Sequence, residues 1–125
     1  MSQVDTGCQF DVDRGPDWLF IRIHLPADQS LAALPIAESI WSIIDQNRVL
    51  RVVLELDQLS LLHSHLIGQF VMLYKRLHSH GGMLRLCGLS PTNEEALHGC
   101  RLDSCFPSFA NRGDAVMGHL PRAPR

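Results

Sequence analysis

The chain has 125 residues, room for one domain and little more. Hydrophobic residues make up 46% of it and charged residues 19%, which excludes a disordered chain and points to a real core. The net charge of −2, with histidines neutral, leaves no basic field for nucleic acid or an anionic membrane.

The residues after Met1 are polar and include Asp5, Asp11 and Asp13, with no basic-then-apolar stretch that would read as a signal peptide. The apolar runs are far too short to span a bilayer, so no direct membrane insertion is expected. Cys8, Cys87, Cys100 and Cys105 form no CxxC pair and are expected as reduced thiols in a cytoplasmic protein. Cys100 and Cys105 would pair only under oxidising conditions.

Gln9–Arg14 reads as a short first strand, and Gly15-Pro16-Asp17 as a turn. Trp18 to His24, rich in β-branched and aromatic residues, reads as a second strand that Pro26 stops. Between Ser30 and Asn47 the apolar residues Leu31, Leu34, Ile36, Ile40, Trp41, Ile43 and Ile44 recur at helical spacing. Pro35 places the start of the regular helix near itself, because proline is tolerated only in a first turn. Val49 to Leu56 is a near-continuous apolar run, the mark of a strand buried on both faces. The loop Asp57 to Leu62 follows. Ser64 to Ser79 reads as a helix with Leu66, Phe70, Leu73 and Leu77 on one stripe, and Gly81-Gly82 closes it. Met83 to Leu89 is the next strand. Ser90-Pro91 opens a helix that ends near Gly99, with serine as cap and proline at the first position. Phe106 to Phe109 reads as an edge strand and Asp114 to Met117 as a helical turn. Residues 119–125 are expected as a disordered tail to a single domain at residues 1–118. Strands separated by helices imply parallel pairing through right-handed crossovers.

Several segments fall in the order of a known family. They are Val52-Val-Leu-Glu-Leu56, Leu62-His-Ser-His-Leu-Ile-Gly68, Gly81-Gly-Met-Leu-Arg-Leu86, Pro91 through Leu97, Phe106-Pro-Ser-Phe109 and Asp114-Ala-Val116. In order and spacing this set resembles the STAS domain, shared by bacterial anti-sigma-factor antagonists and the tails of sulfate transporters. The resemblance implies an α/β fold, a STAS-like single domain with a mixed four- or five-stranded sheet and helices mainly on one face. It implies a regulatory module that binds a protein partner, either an anti-sigma factor that is a serine kinase or a related signalling protein. It further implies phosphorylation of the serine that opens the second helix.

Ser64 matches that serine. Free backbone N–H groups and the positive dipole end make a helix start favourable for an oxyanion. A phosphate there would add ~1.5–2 negative charges and could abolish docking by repulsion and desolvation. Serine is also simply a preferred helix cap, worth ~1 kcal/mol. The flanks depart from the family: His63 stands for its aspartate, and His65 and Leu66 for its small residue and glycine. A partner surface of Leu62, His63, Ser64, His65, Leu66 and Gln69 is therefore expected, with its phosphorylation lost or altered. A constitutive accessory subunit, for example of a membrane lipid transporter, is the alternative.

Two other chemistries are weighed and set aside. The pairs His63-Ser-His65 and His78-Ser-His80 could ligate zinc, but they sit at opposite ends of one helix, on the order of 20 Å apart. No Gly-x-Ser-x-Gly elbow and no phosphate-cradling glycine loop occurs, so neither an enzyme nor a cofactor is expected.

Overall fold

The computed structural model describes residues 9–24, 35–59, 62, 64–101 and 106–117. Within them five strands and four helices follow one another: β1 (Gln9–Arg14), β2 (Leu19–His24), α1 (Ile36–Asn47), β3 (Arg51–Glu55), α2 (Ser64–Ser79), β4 (Met83–Cys87), α3 (Pro91–Gly99), β5 (Ser108–Phe109) and α4 (Arg112–Met117). The tail at 119–125, Cys8 and Cys105 lie outside the described residues.

The strands form one mixed sheet in the order β1-β2-β3-β4-β5. The first pair is antiparallel, from Gln9↔His24 to Arg14↔Leu19. The other three pairs are parallel. Proline and aspartate in the Gly15–Asp17 turn suit the tight reversal, which closes with Gly15 N–H donating to Trp18 O at 2.8 Å.

Alternation along each strand sorts the side chains into two layers. Leu19, Ile21 and Ile23 of β2, Val52 and Leu54 of β3, and Leu84 and Leu86 of β4 join one core. The apolar stripes of α1 and α2 close over it, through Ile36, Ile40 and Ile44 and through Leu66, Phe70, Leu73 and Leu77, with Leu97 of α3. The opposite face carries a smaller cluster of Trp18, Val53, Cys87, Phe109 and Ala115, covered by α4. Three helices thus share one face and one short helix takes the other. Residues 52 to 56 are buried without a break, as a central strand requires.

The caps explain the boundaries. Helix α1 ends at Arg48, which takes the left-handed conformation at φ 57° and donates its N–H to Ile44 O. At the end of α2, Gly82 N–H donates to Leu77 O at 2.8 Å. A Cβ on Gly82 would stand 2.4 Å from Leu50 O, so only glycine lets α2 turn directly into β4. The Ser90 hydroxyl caps α3 by accepting from Asn93 N–H at 3.2 Å, with Pro91 at the first position. Helix α4 starts two residues before the expected Asp114, because Asn111 Oδ1 caps it by accepting from Asp114 N–H at 2.9 Å. β5 is shorter than Phe106–Phe109, since Phe106 leaves the ladder and is wholly buried in the larger core.

Candidate functional site

The residues singled out on either side of Ser64 gather at the N-terminal end of α2, where burial divides them. Ser64 is exposed as the first helical residue. His65 is half-buried and engaged in an interaction. Leu66 is 0% exposed and Leu62 4%, so both belong to the core beneath the helix. The 3.6-residue period decides this: Leu66 starts the stripe that continues through Phe70, Leu73 and Leu77. Burial removes the Leu62 and Leu66 side chains from the surface expected to meet a partner. His63 lies outside the described residues.

Gln69 does a job the sequence did not disclose. Helix α1 begins after Pro35 with no side-chain cap of its own. The Gln69 carboxamide supplies it from the neighbouring helix, Oε1 accepting from Ala37 N–H at 2.8 Å. Its Nε2 reaches Met72 Sδ at 3.8 Å. The outward face of α2 then runs from Ser64 to Gly68, where a Cβ would meet nothing within 4 Å, and on to the exposed Met72. No acidic residue occurs in the first turn, so the positive end of the helix dipole stands unneutralised by its own side chains.

The loop leading to α2 is held at its start. Arg22 Nε donates to Asp57 Oδ1 at 3.0 Å. Desolvation pushes the Asp57 carboxyl up, but hydrogen bonds from Arg22 and Gln58 outweigh it and hold the group below the usual aspartate range. Gly88 sits against this point, where a Cβ would lie 3.1 Å from the Asp57 backbone nitrogen; its φ of +78° also favours glycine.

Beyond Arg22 and Asp57, a charged cluster continues across the second face of the sheet. Glu55, 4% exposed, takes a two-pronged grip from Arg112 at 2.7 and 2.9 Å. Arg22 approaches Glu55 at 3.7 Å, and Arg112 also donates to Asp13 at 2.9 Å. The Arg112 guanidinium lies 4.3 Å from the centre of the Phe20 ring. Its pKa is raised first of all by the hydrogen bond to Glu55. The acid was concealed in the sequence by the apolar run around it.

The two histidines at the far end of α2 have local partners. His80 packs on Trp41 at 5.1 Å, its Nδ1 2.8 Å from Arg76 O. His78 stacks on Tyr74. Among the described residues no three His, Cys, Asp or Glu side chains are gathered where they could hold a metal ion. Burial, with Glu55 and Asp57 adding to it, pushes the Cys87 thiol up to about 12, which makes it a packing residue. No described helix is long and apolar enough to cross a membrane.

Comparison with known proteins gives a consistent family. The STAS domain profile matches residues 10–115. Among solved structures, the chain is similar to an anti-sigma factor antagonist from Mycobacterium paratuberculosis, with a TM-score of 0.73 at 16% identity over 94% of this chain and 97% of that one. A putative anti-sigma factor antagonist from Thermotoga maritima gives 0.68 at 18% identity, over 87% and 92%. The anti-sigma factor antagonist SpoIIAA in its unphosphorylated form gives 0.67 at 20% identity, over 90% and 100%. At these identities the structures attest the fold. Among curated proteins, none matches the chain.

Proposed function

Because the chain belongs to the STAS domain family, we propose that it is a regulatory protein-binding module of the anti-sigma-factor-antagonist kind. It works by docking, not by catalysis. The observation that carries this reading is the placement of Ser64, exposed at the positive end of a 16-residue helix whose other face is locked into the core. A surface so supported can be altered without unfolding the domain. The docking patch is Ser64, His65, Gly68 and Met72, backed by Leu62, Leu66 and Gln69. The partner is an ATP-dependent serine kinase that also holds a sigma factor, or a signalling protein built like one.

Phosphate on Ser64 would place ~1.5–2 negative charges on the patch and release the partner. The backbone N–H groups of the first turn would stabilise it where it stands.

Two experiments test this. If Ser64 keeps the switch despite its altered flanks, incubation with the cognate kinase and ATP adds the mass of one phosphate to the wild type and none to Ser64→Ala. An unmodified wild type would remove the phosphorylation step. Gly68→Arg should abolish partner capture with little change in melting temperature, because the site is open. Undiminished capture would move docking to another surface.

A further inference from the structure

Helix α3 packs beside the loop that delivers α2, and its contribution is a buried amide. Asn93 is 0% exposed, where most asparagines face water. Its backbone N–H is taken by the Ser90 cap, while its side chain turns to the β3–α2 loop. There Oδ1 accepts from Leu62 N–H at 2.9 Å, and Nδ2 donates to Leu59 O at 3.3 Å. The two bonds hold the chain at Leu59 and at Leu62, the latter two positions before Ser64. Leu59 N–H also donates back to Leu56 O at 3.1 Å, which fixes the start of the clasped stretch.

Side-chain chemistry narrows what could do this. An amide both accepts and donates; an ionised carboxylate only accepts, and an aliphatic group does neither. Leu59 and Leu62 are themselves buried, so their backbone groups need partners that water does not supply. Asn93 provides both from a helix already anchored through Leu97 in the core and through Ser108 Oγ donating to Glu94 Oε2 at 3.2 Å.

We infer that Asn93 is the positioning residue of the docking surface. It sets where the α2 start stands relative to the sheet, and it couples the Ser64 end of α2 to α3. The inference rests on the reading of that surface as the docking site. A residue that merely adds stability would loosen every amide alike when removed; a positioning residue loosens Leu62 and the first hydrogen-bonded amides of α2 ahead of the rest.

Native-state hydrogen exchange followed by NMR on the full chain separates the two. In Asn93→Leu, the amide of Leu62 and the first hydrogen-bonded amides of α2, beyond its free first turn, should exchange about tenfold faster or more, relative to those of Ile44 and Leu73 in the same sample, the loss of roughly one buried hydrogen bond. Asn93→Asp keeps an acceptor for Leu62 N–H and should restore much of that amide's protection. Uniform acceleration across the sheet, or unchanged protection at Leu62, overturns the inference. On the wild type alone, the Leu62 amide and the Asn93 side-chain amide should both be protected; exchange of either at the rate of an open amide overturns it even if no variant folds. No partner enters the measurement. Failed capture or absent phosphate at Ser64 would therefore sink the docking reading and leave the Asn93 result standing.

Discussion

The two faces of the sheet are held by different physics. Under α1, α2 and α3 the contact is apolar apart from the Asn93 amide, with Phe70, Leu66, Ile40 and Leu54 fully buried. Such burial contributes in proportion to area, ~25 cal/mol per Å2, and is not weakened by the screening that salt exerts on charges. Across the other face the cluster of Trp18, Val53, Cys87, Phe109 and Ala115 is small, and beside it Glu55 is buried against two arginines. That cluster contributes only while its charges stay matched. The contrast teaches where change is tolerated: the large core can carry a modified surface on α2, while the ion cluster ties α4 to β1 and β3.

The largest expected effect lies on the first face. Phe70→Ala should cost about 3–5 kcal/mol in urea unfolding, with a cavity term added to lost burial. Next comes Arg112→Ala, which leaves Glu55 buried with Arg22 at 3.7 Å as its remaining described cation. We expect a loss of about 1–3 kcal/mol, below the cost of breaking a fully buried pair because the Arg112 side chain is 38% exposed. This loss should shrink in 1 M salt while the Phe70→Ala loss does not; equal responses would dissolve the distinction between the faces.

The smallest effect concerns pH. The folded-state pKa of Asp57 is depressed, so its contribution to stability is present above the ordinary aspartate pKa of ~3.9. That contribution is lost as pH falls through the folded value. Asp57→Asn should therefore lose less stability than the wild type between pH 6 and pH 3, read by chemical denaturation at each pH. Identical losses would show that Asp57 contributes nothing to the acid sensitivity of this face.

The fold was largely legible in the sequence. Helix α2 runs from Ser64 to Ser79 as its stripe and closing glycines require, and β1 and α3 follow their turn and cap signals. The late boundaries were harder. The expected start of α4 missed Asn111, whose cap needs one side chain and no periodicity. The candidate site was legible in place and not in detail. Ser64 lies where the helix start put it, but Leu66 was read as surface although its own stripe assigns it to the core. Gln69 and Asn93 stayed hidden because their partners lie 31 to 34 positions away, beyond any local pattern. Glu55 is an acid that only a distant Arg112 explains.

Strand order in space repeats strand order in the chain. Each new strand therefore pairs with the one just before it, and closing each parallel pair requires looping out a single helix. A sheet of this kind can zip from one edge to the other with short loop closures, which favours rapid assembly and leaves few chances for a strand to insert out of turn. A contact outside that sequence is the one by which Arg112 reaches back 99 positions to Asp13. It joins the last helix to the first strand, so it is the stitch that can be tied only after the whole sheet is in place.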